Sequence, residues 1–244
     1  MKSSVKGRVA SLQVGKPKPL AYRGKHVESG FVKESVSGSV WLSGTNLAGD
    51  EQADKRVHGG PEKAVCVYPL EHYPYWEERL ERELPRASFG ENFSTEGLTE
   101  SNVCIGDVFR VGDRDRGAVL QVSQPRQPCF KLGARHGMPE LVLCVQEVGL
   151  TGFYFRVLEE GEVQAGDEII LVERLRPEAS VAEANRVMHH DKHDREGLER
   201  LAAVEELAES WKGKFEKRLS GSSREDDSAR IEGPLDREDK RHLG

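Results

Sequence analysis

Between residues 5 and 173 the chain is built from short apolar segments that glycine, proline, asparagine and aspartate interrupt at close intervals. This spacing is typical of many short strands joined by tight turns, and helical periods are rare in it. The pattern predicts a mainly β protein, folded as a β-barrel with a few short helices. Strands are predicted at 36–42, 64–68, 119–122 and 168–172, a hairpin around the turn at 112–117, and a helix within 71–84.

The sequence pattern changes after Pro177, where apolar residues recur at helical spacing. Ser180 and Glu183 form a capping box at the start of this part. Three apolar stripes predict three short amphipathic helices, each too short to be stable alone. The stripes are Val181, Ala184, Val187 and Met188; Leu198, Leu201, Val204 and Leu207; and Trp211, Phe215 and Leu219. We therefore expect a barrel domain at 1–175, a three-helix domain at 176–220 and a disordered tail at 221–244.

Composition narrows the class of protein. The 244 residues are 36% hydrophobic and 32% charged, with a net charge of −6, which indicates a globular protein that does not bind nucleic acid. Residues 177–220 resemble a helix-turn-helix in size, but they hold 8 Lys and Arg against 10 Asp and Glu, so we expect docking or covering rather than DNA binding. His189, His190 and His193 lie between the first two stripes, but a zinc site would need at least one more well-placed ligand, so we do not expect one here.

The four cysteines bear on the cellular location of the protein and on which thiol has a chemical role. They show no paired spacing, and no apolar amino-terminal segment of signal-peptide length precedes them, so we expect a cytoplasmic protein with free thiols and no membrane partner. Cys66, Cys104 and Cys144 lie in apolar runs and are expected to be buried hydrophobic residues. Cys129 differs, because Pro125 and Pro128 make its loop stiff.

Cations next to Cys129 favour its reactive form. Arg126 precedes it by three residues and Lys131 follows it by two. Nearby positive charge favours the thiolate, which is the form that acts as a nucleophile or a metal ligand. The sequence therefore predicts a chemical role for Cys129.

A second segment, residues 49–64, precedes a predicted strand and is suited to anions. Gly59 and Gly60 let backbone amides converge on a ligand, while Arg56, His58 and Lys63 can donate charge-assisted hydrogen bonds to a phosphate. The order of a Walker loop is absent. We expect an anion site here.

A third segment, residues 89–98, is polar with glycine at both ends. Asn92, Ser94 and Thr95 can hydrogen-bond the edge of a heterocycle, and Glu91 can move protons. The signal is weak by itself, because loops often have this composition.

Four motifs together resemble a known family. They are GDEQADKRVHGGPEKAV at 49–65, YPLEHY at 68–73, GENFSTEGL at 90–98 and QVSQPRQPCFKL at 121–132. In this order they resemble the MOSC domain, named for the carboxy-terminal domain of molybdenum-cofactor sulfurase, and most closely its stand-alone bacterial hydroxylaminopurine-resistance branch. The residues after Pro177 resemble the three-helix domain that follows MOSC in this branch.

The resemblance implies a barrel that binds the molybdenum cofactor, molybdopterin, with Cys129 as ligand of the molybdenum. It implies that cations neutralise the cofactor phosphate, that Gly59 and Gly60 shape its loop, and that Asn92 and Thr95 contact the pterin. The cations are Arg126, His58 and Lys63, then Arg56 and Lys131, and Ser29 and Lys33 are further candidates.

The implied activity is reduction of N-hydroxylated bases and related hydroxylamines, which detoxifies mutagenic base analogues. Glu91 and His58 are the candidates for proton delivery. No flavin or nicotinamide fingerprint is present, so electrons are expected from a separate reductase. The sequence leaves open whether the chain forms a homodimer. Two alternatives remain open: a sulfur or cofactor carrier with Cys129 as persulfide, and a non-catalytic module that binds a phosphorylated heterocycle.

Overall fold

A computed structural model of the chain describes residues 5–54, 59–222 and 226–233. Seven strands of the main sheet close into a barrel in the order β12-β8-β9-β10-β6-β7-β1, because β12 also pairs with β1, and β4 extends β1 at one side. The strands are β1 Lys6–Val14, β2 Lys18–Tyr22, β3 Lys25–Ser29, β4 Glu34–Ser35, β5 Val40–Leu42, β6 Val65–Pro69, β7 Phe93–Glu96, β8 Val108–Val111, β9 Ala118–Pro125, β10 Phe153–Glu159, β11 Gly161–Val163 and β12 Glu168–Glu173. The predicted barrel is confirmed.

Apolar side chains from the barrel strands fill the interior of the barrel. Phe153 and Phe155 of β10 are fully buried, as are Val9 of β1 and Leu120 of β9. Within the barrel β6 and β7 run parallel, and the other neighbouring strands are antiparallel. The predicted hairpin is confirmed, since β8 and β9 pair with Val111 opposite Ala118.

Three helices lie beside the barrel: α1 Tyr73–Leu80, α2 Phe130–His136 and α3 Leu141–Val148. The first falls within the predicted 71–84 segment, but the sequence did not predict the other two. Both are short, and glycines in the left-handed region end them, Gly137 at φ 68° and Gly149 at φ 79°. A second apolar cluster, which includes Trp76, packs these helices together.

The helices of the carboxy-terminal part match the three predicted stripes. They are α4 Val181–Asn185, which continues as a wider turn to His190, α5 Arg195–Ala202 and α6 Glu209–Leu219. The Ser180 hydroxyl accepts a hydrogen bond from the Glu183 amide at 3.0 Å, as a capping residue does. Their apolar residues belong to the same buried cluster as those of the barrel, so the two parts share one core.

The tail differs in part from the expected disorder. Residues 228–232 form a short helix, α7 Ser228–Glu232, and Ile231 packs against the second apolar cluster. Arg230 of this helix bonds the carbonyl of Pro128, so the segment is fixed by specific contacts rather than by composition. In the parts of the chain that the structure describes, no helix is long and apolar enough to cross a membrane.

Candidate functional site

One cavity collects most of the predicted site residues. It encloses about 640 Å³, part of it open to solvent, and it lies between the end of β3, the segments around 50–53 and 59–63, the 89–92 turn and the connection from β9 to α2. Eight of the residues predicted from sequence line it: Ser29, Lys33, Gly59, Lys63, Asn92, Arg126, Cys129 and Lys131. Segments far apart in the chain thus meet at one site.

Two cysteines line this cavity, and their surroundings separate them. Cys129 precedes α2 with extended backbone (φ −130°, ψ 169°) and is partly exposed. Cys66 on β6 is buried, and that burial raises the pKa of its thiol to about 11. Cys66 is therefore a neutral thiol at pH 7, and the accessible thiol is Cys129.

The other cysteines only partly follow the sequence interpretation. Cys66 is buried as predicted, but it also forms cavity wall, which was not predicted. Cys104 is buried outside the cavity. Cys144 on α3 is partly exposed rather than buried, because one side of this short helix faces away from the core.

Arg126 brings a buried positive charge to the cavity. Its Nη2 donates to the Phe89 carbonyl at 2.8 Å and its Nη1 to the Thr151 carbonyl at 3.4 Å, so the guanidinium is held in one orientation. Asn185 of α4 donates to the Thr151 hydroxyl at 2.8 Å, which links the three-helix part to a residue that binds Arg126. No carboxylate of the described residues forms an ion pair with Arg126, so its charge favours an anion in the cavity.

The lysines of the site differ in how their charge is used. Lys33 and Asp50 form a buried ion pair, and Asp50 also accepts from the Gly15 amide at 2.9 Å. Lys33 thus fixes a turn of the cavity wall. Burial lowers the pKa of Lys63, and Lys131 is only 8% exposed. A desolvated ammonium is stabilised by an anion next to it.

Glu91 lies outside the cavity lining and is fully buried. Its Oε1 accepts from the Tyr73 hydroxyl at 2.5 Å, the Ala87 amide at 3.0 Å and the Ser94 hydroxyl at 2.9 Å. Its Oε2 accepts from the Phe89 amide at 3.1 Å. These contacts make Glu91 the centre of the 87–91 turn and hold the residue whose carbonyl binds Arg126.

The remaining predicted residues divide by location. Asn92 lines the cavity, but its amide also joins two strands, since Oδ1 accepts from the Cys66 amide at 3.1 Å and Nδ2 donates to the Gln13 carbonyl at 3.2 Å. Thr95 is buried within β7 and Gly60 precedes the turn at 61–63, both away from the lining. Arg56 and His58 lie outside the described residues.

Tyr154 and Gln127 are lining residues that the sequence reasoning missed. Tyr154 on β10 stands opposite Cys66 on β6, and burial raises the pKa of its phenol well above the usual value. Period-two alternation with the buried Phe153 and Phe155 could have placed Tyr154 on the other face of its strand. Gln127 has a buried Nε2 that finds no hydrogen-bond partner among the described residues.

Within the described ranges, no group of three or more His, Cys, Asp or Glu side chains is arranged to hold a metal ion, which leaves the zinc interpretation of His189, His190 and His193 without support.

Comparisons with known proteins agree with this architecture. Residues 54–170 match the family model of the MOSC domain, and residues 180–221 match that of the YiiM-like, 3-alpha helix domain. The chain is similar to the uncharacterized protein YflK of Bacillus subtilis, with 52% identity over 86% of this chain and 93% of that protein. It is 38% identical to a protein named reductase from Gibberella moniliformis, over 75% of this chain and 32% of that longer protein.

A solved structure supports the same assignment. The crystal structure of YiiM from Geobacillus stearothermophilus is 37% identical, covers 87% of this chain and 99% of its own, and superposes with a TM-score of 0.74. The sequence match thus covers nearly the whole length of YflK, and the fold match nearly the whole length of the Geobacillus protein. The chain belongs to the MOSC-domain family, in the branch that carries the YiiM-like three-helix domain.

Proposed function

We propose that the protein binds the molybdenum cofactor in the cavity beside Cys129 and reduces N-hydroxylated bases and related hydroxylamines. The observation that carries the proposal is one partly exposed thiol, Cys129, in a cavity that it shares with the nearly buried Lys131 and with Arg126, which pairs with no carboxylate of the described residues. The reductase name of the Gibberella relative supports redox chemistry in the family.

The residues present fit such a group. A phosphate requires cations and N–H donors, which Arg126, Lys63 and Lys131 provide, and the unpartnered Nε2 of Gln127 is a further donor. A thiolate is a soft ligand suited to molybdenum, and Cys129 is the thiol in a position to provide it. The bound cofactor would supply two-electron redox chemistry at its metal.

The protein's own residues would orient the bound cofactor and line its site. The Arg126 guanidinium, fixed by the Phe89 carbonyl, would hold the phosphate end in one place. Tyr154 keeps its phenolic proton at neutral pH and would act as a neutral hydrogen-bond donor at the wall. Glu91 would act through the 87–91 turn, which leaves His58 as the proposed proton donor.

Electrons would reach the site from a separate reductase, which is the partner we propose. The substrate would be a small N-hydroxylated compound, admitted through the open side of the cavity. Neither a flavin nor a nicotinamide site is part of the proposal.

The test is metal and pterin analysis of protein produced in a host that makes the cofactor. We expect about one molybdenum per chain in the wild type, if one thiolate is the protein ligand, loss of it in Cys129→Ala, and retention in Cys144→Ala, the control for a partly exposed thiol elsewhere. Loaded protein should then oxidise a reduced donor only when 6-hydroxylaminopurine or another hydroxylamine is added.

Two results would contradict the proposal. Cys129→Ala protein that keeps its molybdenum would remove the ligand role. Wild-type protein free of molybdenum and pterin, but carrying persulfide sulfur on Cys129, would favour the sulfur-carrier alternative.

A further inference from the structure

We propose that Arg230, on the short helix α7 near the carboxyl terminus, is a positioning residue that holds the backbone immediately before Cys129. The two residues are far apart in sequence, and neither the motifs nor the family models include Arg230, because the matched regions end at residue 221. The inference rests on the proposed function only for what Cys129 binds. The placement of the thiol itself does not depend on a cofactor.

The central contact is to the peptide that joins Pro128 to Cys129. Arg230 Nη1 donates to the Pro128 carbonyl at 2.6 Å. The proline ring fixes its own φ but leaves ψ free, and ψ sets the orientation of the carbonyl and of the Cys129 amide on the other side of the same peptide plane. The hydrogen bond from Arg230 therefore supplies a restraint that the prolines do not.

The guanidinium is itself held in place. Its Nη2 donates to Gln146 Oε1 and to Asp227 Oδ2, each at 2.9 Å, and the Arg230 side chain is only 16% exposed. Gln146 lies on α3 and Asp227 directly before α7, so the arginine is fixed from two elements. A planar group fixed at several donors loses little further freedom when it binds a carbonyl.

Contacts from the carboxy-terminal part also hold both neighbours of this peptide. Lys214 of α6 donates to Gln127 Oε1 at 3.4 Å and pairs with Asp227 at 3.6 Å. After Cys129, the ring of Phe130 packs against Tyr22 with centroids 4.9 Å apart, and the Tyr22 hydroxyl donates to the carbonyl of Glu232 at the end of α7. Residues 127, 128 and 130 are thus all tied, directly or through one residue, to the segment that carries Arg230.

Placement at this precision matters because a ligand must stay within about 0.5 Å of its working position to serve a bound metal. Loss of the Arg230 contact should let the loop open and expose the thiol more often. The effect should be local, since α7 contributes no residue to the shared barrel core.

The experiment measures alkylation of cofactor-free, full-length protein by iodoacetamide, with each cysteine quantified separately by peptide mass spectrometry. Arg230→Met keeps the aliphatic stem and removes the donors. We expect alkylation of Cys129 to become about tenfold faster, which corresponds to about 1.4 kcal/mol of lost loop stabilisation. The rate at Cys144, measured in the same sample, should stay unchanged.

Arg230→Lys restores one donor and should return the Cys129 rate close to that of the wild type. Arg195→Met is the matched control, because Arg195 is 76% exposed and pairs only with Glu199 within its own helix among the described contacts. An Arg230→Met protein with the wild-type rate at Cys129 would overturn the inference. Equal acceleration at Cys129 and Cys144 would also overturn it, because it would indicate general loosening.

These outcomes are independent of the proposed function. Wild-type protein without molybdenum would refute the cofactor proposal and leave the alkylation result intact. Conversely, an unchanged alkylation rate of Cys129 in Arg230→Met would refute the positioning role even if the wild type binds the cofactor.

Discussion

The buried carboxylate of Glu91 gives the sharpest test of what the structure adds to the sequence. Glu91→Gln keeps the shape of the side chain and replaces one acceptor oxygen by an NH₂ group, which can only donate. In the folded protein the two carboxylate oxygens accept four hydrogen bonds, three at Oε1 and one at Oε2. Either orientation of the amide therefore places a donor against a donor.

The loss of stability in Glu91→Gln is set by the more favourable of the two orientations of the amide. With the amide oxygen at the Oε1 position, the NH₂ group faces the Phe89 amide, which then loses a charge-assisted bond and stays buried without a partner. Such a loss costs about 2–4 kcal/mol of unfolding free energy. For a protein of this size that lowers Tm by about 5–15 °C.

Urea unfolding of cofactor-free protein measures this difference directly. Tyr73→Phe is the graded control, since it removes one of the four donors and should cost about 1–2 kcal/mol. A Glu91→Gln protein within about 0.5 kcal/mol of the wild type would refute the reasoning, because substitutions without such a contact fall in that range. Loss of the proposed reductase activity at unchanged stability would instead support proton delivery by Glu91.

Two further predictions concern pH and charge. Burial, and after it the charge of Arg230, lowers the pKa of His189 to about 3. In the unfolded chain this histidine takes up a proton near the ordinary histidine pKa. The stability that depends on neutral His189 is therefore complete above about pH 6.5 and decreases as pH falls. Between pH 7.5 and 5 the wild type should lose about 2 kcal/mol that His189→Phe does not lose, and parallel pH curves from urea unfolding would contradict this. Lys33→Met should destabilise cofactor-free protein by about 3 kcal/mol, because it leaves the buried Asp50 without its partner. Asp50→Asn in the same background should recover part of that loss, and an unchanged urea midpoint in Lys33→Met would show that the pair contributes nothing.

Local patterns were read correctly where the structure depends on local chemistry. The hairpin of β8 and β9 and the capping contact of Ser180 both follow from residues close in sequence. Helices α2 and α3 were missed, because seven or eight residues give too few turns for a helical period, and in α3 an apolar run hid it. The start of the stiff loop before Cys129 was also misjudged, since Pro125 still belongs to β9 and pairs with Phe153 of β10.

The sequence predicted most of the segments that line the cavity. Three features predicted which segments meet: the cations on both sides of Cys129, the glycines before β6, and the order of the motifs. These features depend only on residue type and on neighbours in the sequence. What each side chain does there was decided by tertiary structure. Glu91 is taken up by donors of its own turn, and Cys66 and Tyr154 reach the cavity through the register of β6 against β10. Arg230 meets Pro128 across 102 residues, a contact that exists only once the barrel, the three helices and α7 have packed together.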